Sequence, residues 1–393
     1  MKYLVLIGDG MSDLPLKELK GKTPLEVAKT PNMDFLAQNG ECGWVNNVPQ
    51  GLPPASDVAA MSIFGYDPQK FYTGRGPLEA ASLGVRLKKD EIAFRCNLVT
   101  VKNRKMKDFT AGHISTEEAR RIMKMLDRKL GSKNIRFVPG LSYRHLLILK
   151  TENRELEAVK CTPPHDITGK PIARYLPKSD LLLQLMNESE VLLHEMKTKA
   201  TMIWPWSQGK APAMQSFKKK FSKKAAVITA VHLLKGLGKI LGMEVINVPG
   251  ATGYLDTNYK GKANYALRAL KKNDVVFVHV EAPDEAGHEG DVRKKIKAIE
   301  DFDRLVVGTI LKNIRHQTCL AARRASNFKI LVLPDHPTPI KVMTHTRDDV
   351  PFAVWENGGK GQGAGVNGYN EKEIRKSKLR LKKGSQLLSL LFT

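Results

Sequence analysis

Apolar and polar positions follow one another along this chain in blocks, and the blocks predict a layered α/β protein. Tyr3-Leu4-Val5-Leu6-Ile7, Val275-Val276-Phe277-Val278 and Lys329-Ile330-Leu331-Val332-Leu333 are short aliphatic and β-branched runs between polar residues, the pattern of buried strands. Ala226-Val227-Ile228-Thr229 and Met243-Glu244-Val245-Ile246-Asn247-Val248 predict two more strands. Helices are expected between them. One opens with Thr23 as cap and Pro24 in first position, and a second runs from about Asn32 to Gln38 and stops at Asn39-Gly40. Others cover Val231 to Leu241, Asn264 to Lys272, and about Arg293 to Lys312.

Between about 67 and 200 the texture changes. Ile92 to Val101 alternates like a half-buried strand, Ser115-Thr116-Glu117-Glu118 opens a helix to about Leu130 with a capping-box pattern, and Ser142 to Leu149 reads as a strand. Cys161 to Lys170 is a polar loop, and a helix is expected near 179–200. This stretch is taken as an inserted α+β domain, 67–200, inside a discontinuous domain of 1–66 and 201–393. The Gly-rich patch 358–368 reads as a surface loop, and no internal repeat is found.

With 393 residues, 42% hydrophobic and 26% charged, the chain is long enough for two substantial cores. No apolar run approaches the length of a membrane span and the N-terminus lacks a signal-peptide pattern, so a cytoplasmic protein without a membrane is expected. Cys42, Cys96, Cys161 and Cys319 are widely spaced, which points to reduced thiols instead of a disulfide frame or zinc knuckle. The charge is less ordinary: 64 Lys and Arg against 40 Asp and Glu give +24. Part of the excess lies in runs, 217–224 and 375–383. Such a field attracts anions, phosphorylated metabolites and nucleic acids among them. A solvated basic surface has the same composition, and no nucleic-acid-binding motif accompanies the runs.

The candidate chemistry sits at the ends of the strands. The first runs into Gly8-Asp9-Gly10, the second into a polar turn with Asp284 and His288 four residues apart, and the third into Pro334-Asp335-His336. In parallel α/β sheets the ligand crevice lies beyond the carboxyl ends of the strands, so these side chains converge if the strands are neighbours. His345 lies shortly after the third. In Leu52-Pro53-Pro54-Ala55-Ser56 the prolines hold an extended approach and a helix is expected to start at Ser56. Free N–H groups and the helix dipole favour an anion there, which suits a serine that carries a phosphoryl group; an ordinary capping serine has the same sequence. Asp9, Ser56, Asp284, His288, Asp335, His336 and His345 are oxygen and nitrogen donors without a thiolate, suited to two divalent ions such as Mn²⁺, Mg²⁺ or Zn²⁺. A pair of ions serves both oxygens of a phosphoryl transfer and activates a serine hydroxyl.

At this point the chain resembles the archaeal-type cofactor-independent phosphoglycerate mutases of the alkaline phosphatase superfamily, over nearly its whole length. The most specific pieces are LIGDGMSD at 6–13, LPPASDVAAMSIFGYDP at 52–68, YTGRGPLEA at 72–80, FRCNLVT at 94–100 and AGHIS at 111–115. SYRHLL at 142–147, PHDITGK at 164–170, PGATGYLDTNYKGKA at 249–263, HVEAPDEAGHEGD at 279–291 and LPDHPTPI at 333–340 complete the set. The resemblance implies an alkaline-phosphatase-like sheet with helices on both faces, interrupted by the inserted domain. It implies one metal on Asp284, His288 and His345, and a second on Asp9, Asp335, His336 and the hydroxyl of Ser56, with Ser56 as the nucleophile that becomes phosphoserine. The ions would be Mn²⁺ first, with Mg²⁺, Co²⁺ or Zn²⁺ as alternatives. The inserted domain would bind the glycerate, with His113, Arg144 and Asp166 foremost; Arg75, Arg95 and Lys170, and Lys262 from the other domain, are candidate phosphate contacts, and His279 is read as structural. The implied reaction is the interconversion of 3-phosphoglycerate and 2-phosphoglycerate in glycolysis and gluconeogenesis, and homo-oligomerisation stays open. A phosphate-contacting lysine and an arginine pair of the longer bacterial enzymes do not align; Trp206-Ser207-Gln208-Gly209 stands in that region. Two rivals are a phosphatase or phosphodiesterase of the same superfamily and a basic nucleic-acid-binding protein.

Overall fold

The computed structural model describes residues 1–151, 155–320, 327–359 and 365–393, without the side chains of 317–320. The Cys319 thiol and 360–364 of the Gly-rich stretch therefore lie outside the described residues. Two compact units are present, Met1–Tyr72 with Met214–Thr393, and Thr73–Ala213. The breaks fall later than 66/67 and 200/201; at the second, the strand Met202–Gly209 pairs along Glu91–Lys102 and carries Ile203, Trp204 and Trp206 into the core of the second unit.

The first unit is built on eight strands. Their order is Arg380–Leu381, Glu41–Val45, Val350–Glu356, Phe328–Leu333, Lys2–Gly8, Val275–Val280, Ala225–Ile228 and Glu244–Ile246. The five from Phe328–Leu333 onward are parallel, as their apolar runs require. Val350–Glu356 is antiparallel to both of its neighbours. Leu4, Leu6, Val276, Val278, Ile330 and Val332 share one core with Met33, Leu36, Ala263, Ala266, Ala298 and Phe302 from helices. The alternate residues point to the other face. There Phe277 packs on Phe64 and Phe217, with centroids 4.5 and 5.9 Å away, and Tyr3 packs on Phe392 at 4.8 Å. Helices thus cover both faces, and the central strands are buried.

Register matters most for function. Gly8 lies opposite Val280, and Ile7 lies opposite both His279 and Leu333. The three parallel strands therefore end level, with Asp9, Glu281 and Pro334-Asp335 following side by side. The third strand stops at Leu333, before its acidic turn. The helix expected from Asn264 begins at Tyr259 instead, because Asn258 accepts from the Gly261 N–H and caps it earlier. The long helix after Asp291 runs from Val292 to Leu320 through one π-helical stretch, Phe302–Val307.

The second unit is a five-stranded sheet. Glu91–Lys102 is flanked by Arg144–Lys150 and Met202–Gly209 and pairs at its end with Lys105–Asp108; Ile135–Leu141 lies outside Arg144–Lys150. Phe94, Cys96 and Leu98 on one face bury Ile122, Met123 and Leu126 of the helix Thr116–Leu130 and Leu182 and Leu185 of the helix Asp180–Glu195. On the other face Ala93, Leu146 and Ile148 pack on Ala80 of the helix Arg75–Ser82, and Arg95 follows two residues after Ala93. Cys42, Cys96 and Cys161 are free thiols, each pushed up to about 12 by burial. Among the described residues no helix is long and apolar enough to cross a membrane.

Candidate metal centre

Asp9 follows the strand Lys2–Gly8 directly, and Gly10 turns the chain at φ +60°. A Cβ on Gly10 would stand 2.5 Å from Thr338 Oγ1 and 2.6 Å from Asp284 Oδ1, so the close approach of these three loops requires glycine here. Asp284 and His288 are one helical turn apart in Ala282–His288, and face the same side. Asp335 and His336 form the turn after Phe328–Leu333, where Asn47 Nδ2 donates to the Asp335 carbonyl at 2.9 Å.

Two groups of donor atoms result: Asp9, Asp335 and His336, and Asp284, His336 and His345, with the atoms of each group within 4.8 Å of one another. His288 joins the second, its Nε2 3.2 Å from Asp284 Oδ2 and 2.9 Å from His345 Nε2. His345 Nε2 is 3.3 Å from Asp284 Oδ1. His336 Nε2 is 3.5 Å from Asp9 Oδ1, 3.3 Å from Asp335 Oδ2 and 3.2 Å from Ser56 Oγ.

Partners on the far side of each ring assign its protons. His288 Nδ1 is 3.0 Å from the Met343 carbonyl and His345 Nδ1 is 3.0 Å from that of Pro54. A carbonyl only accepts, so Nδ1–H donates in both, and in the neutral ring Nε2 carries a lone pair. Thr338 Oγ1 donates to Asp284 Oδ1, which leaves it to accept from His336 Nδ1 at 3.4 Å. All three imidazoles therefore turn Nε2 lone pairs toward the carboxylates, as metal-binding histidines held by an outer partner do. Asp9 Oδ1 and Asp335 Oδ2 are buried without a hydrogen-bond partner among the described residues. Burial, then the charges of Asp335 and Asp284, push Asp9 well above the usual carboxylate range. Converging lone pairs and orphaned buried carboxylate oxygens fit divalent cations, and this donor set, without thiolate, fits Mn²⁺, Mg²⁺ or Zn²⁺.

Ser56 is the first residue of the helix Ser56–Ile63; Ala55 stands at the N-cap and the Ser56 hydroxyl caps nothing. Its only hydrogen bond among the described residues is to His336. The plain capping serine is thereby excluded.

In the second unit Arg75, Arg95 and Arg144 come together: burial lowers Arg95, Glu79 at 3.2 Å raises it, and the charges of Arg75 and Arg144 lower it again. Arg95 also stacks on Trp206 at 4.8 Å. Asp166 stands beside His165, which feels Arg75 and Arg95, and Lys170 donates to the Asp166 carbonyl at 2.9 Å. His113 sits on an exposed loop against Asp108 and Thr110. Lys262 is a correction. It is fully buried in the first unit, its ammonium 2.7 Å from Glu281 Oε2 and 2.9 Å from the His279 carbonyl, and has no face for a phosphate. Sequence reasoning missed Thr338, Glu281 and His165. Trp206, which the sequence placed only within the stretch 206–209, donates through Nε1 to Asn97 Oδ1 at 3.0 Å.

This fold has solved counterparts. A protein from Pyrococcus horikoshii superposes with a TM-score of 0.79 at 31% identity, covering 100% of this chain and 96% of that one. A cofactor-independent phosphoglycerate mutase from Thermoplasma acidophilum gives 0.68 at 25% identity, covering 100% and 99%. The family model for 2,3-bisphosphoglycerate-independent phosphoglycerate mutase matches residues 37–199. A protein of that name from Methanosarcina barkeri is 52% identical over 100% of this chain and 99% of its own length, and a probable one from Geobacter sulfurreducens is 46% identical over 100% and 99%. The chain belongs to the 2,3-bisphosphoglycerate-independent phosphoglycerate mutase family.

Proposed function

We propose that this enzyme interconverts 3-phosphoglycerate and 2-phosphoglycerate through a phosphorylated Ser56. The observation that carries the reading is the Ser56 hydroxyl, 3.2 Å from His336 Nε2 at the edge of the carboxylate–imidazole cluster. Asp9, Asp335 and His336 with Ser56 would hold one divalent ion, and Asp284, His288 and His345 the other, Mn²⁺ being the first choice. When bound, such ions neutralise the transferring phosphoryl group and lower the pKa of a hydroxyl beside them.

Ser56 Oγ loses its proton as it attacks the phosphorus of the substrate ester, the ester P–O bond breaks, and the leaving glycerate oxygen takes up a proton. The N-terminus of the helix Ser56–Ile63 offers free N–H groups to the phosphoserine. The glycerate then reorients, its other hydroxyl attacks the same phosphorus, and the P–O bond to Ser56 breaks. Within the second unit, Arg75, Arg95 and Arg144 would offer a cationic cluster suited to a phosphorylated anion, with Asp166 and Lys170 beside His165.

Ser56→Ala tests the assignment. It is expected to abolish isomerisation, a loss of several orders of magnitude in kcat, while divalent ions still bind. Mutase turnover that survives in S56A removes the nucleophile, and phosphate release that outpaces isomerisation in the native enzyme makes it a phosphatase.

A further inference from the structure

His279 lies within the strand Val275–Val280, where composition marks it as one more buried strand residue. Its surroundings give it a second task. Glu281 Oε1 stands 3.1 Å from Nδ1, and that carboxylate is itself fixed by Lys262 at 2.7 Å, by Thr229 Oγ1 at 3.0 Å and by the Ala230 N–H at 2.9 Å. The ring is thus pinned from behind. In front, Nε2 is buried and lies 3.2 Å from Asp9 Oδ2 and 4.0 Å from Asp335 Oδ2, so with a carboxylate oxygen on each edge the ring donates from both nitrogens.

The Asp9 carboxylate is therefore divided. Oδ2 faces His279, while Oδ1 faces His336 at 3.5 Å and has no hydrogen bond among the described residues. Asp335 is divided as well: Oδ1 accepts from the Gly10 and His336 N–H groups at 3.1 and 2.8 Å, and Oδ2 is left over.

We propose that His279 is a positioning residue that holds Asp9 so that a single oxygen is presented to a cation. With Asp335 held the same way by backbone N–H groups, the pair disfavours Ca²⁺, which takes many oxygens and bidentate carboxylates, relative to a smaller ion such as Mn²⁺. The proposal rests on the metal reading above.

Calorimetric titration of the full-length apoprotein with MnCl₂ and with CaCl₂ tests it, in the native chain and in His279→Gln and His279→Asn. Glutamine sets its amide nitrogen about where Nε2 stands; asparagine reaches only to about Nδ1. The two variants share the loss of the ring, so a general packing defect cancels between them, and circular dichroism of both apoproteins checks the fold. H279Q is expected to bind Mn²⁺ close to the native affinity. H279N is expected to bind it about 10–100-fold more weakly, with a smaller preference over Ca²⁺. Equal Mn²⁺ affinity in all three proteins overturns the proposal. So does an equal loss in both variants, which would make the ring itself a ligand. A native apoprotein that takes up neither ion removes the metal reading itself, a separate result.

Discussion

His288 Nε2 and His345 Nε2 lie 2.9 Å apart, although each ring already donates its Nδ1–H to a backbone carbonyl. Two lone pairs at that distance repel unless a proton or a cation stands between them. The Asp284 hydrogen bond holds His288 up to about 9, so protons and metal compete for the same atoms.

Stripping the enzyme with EDTA is therefore expected to lower its melting temperature, and Mn²⁺ at a hundred times its Kd is expected to return about 2.7 kcal/mol. His345→Ala should lose most of that Mn²⁺-dependent gain. A melting curve that ignores both EDTA and Mn²⁺ contradicts the assignment of these ligands.

Lys295 gives a prediction about stability. It is fully buried, with Nζ 2.7 Å from Asp13 Oδ2, 2.8 Å from the Thr338 carbonyl and 3.3 Å from that of Ser12. One ammonium so ties the loop that follows Asp9 to the loop between His336 and His345. Lys295→Met strands the Asp13 charge and should cost about 3–5 kcal/mol in urea unfolding. Lys297→Met, whose pair with Asp301 is exposed on the lysine side, should cost under about 1 kcal/mol. Similar costs for the two would show that burial does not set the strength of the first pair.

The buried Lys262–Glu281 pair predicts the same kind of loss. Lys262→Met is expected to destabilise the fold by about 3–5 kcal/mol. Substrate inhibition or KM measurements on the folded fraction separate the alternatives, since a lysine that touched the phosphate would raise KM at unchanged stability.

Acid should weaken the second unit through His145. Burial lowers its pKa to about 3, and Nδ1 accepts from the Gly140 N–H at 2.9 Å. The native state thus holds the neutral ring, while the unfolded chain takes up a proton near pH 6.5. Stability is full above 6.5 and is lost as pH falls from there toward 3, by about 3 kcal/mol at pH 4.5. Equilibrium unfolding followed through Trp204 and Trp206 should show this slope. His145→Asn keeps an acceptor for Gly140 without a basic group, and its profile should be flatter over the same range. Parallel profiles would place the acid sensitivity elsewhere.

The polypeptide alone determined the strands around Leu4, Val276 and Leu331, because a short β-branched run between polar residues has few other ways to be buried. It also determined that acids and histidines follow those strands, and the family, through motifs spread over the whole length. Glu41–Val45 and Val350–Glu356 were not legible: Gly43 in the first and Pro351 in the second argue against interior strands, and only their antiparallel pairing with each other shows them to be strands. Lys262 misled for a related reason. Its charge suggested a phosphate, and only Glu281 and the His279 carbonyl, brought close by packing of the helix Tyr259–Ala269 on the strand Val275–Val280, decided that it is an internal cation.

Tertiary structure alone decided which atoms face which. The level strand ends that set Asp9 beside Asp335 come from a register between segments more than 300 residues apart. The Nε2 orientation of His288, His336 and His345 depends on acceptors at Met343, Thr338 and Pro54. A sequence records which side chains are available, whereas the direction of a lone pair is fixed by whatever binds the opposite edge of its ring.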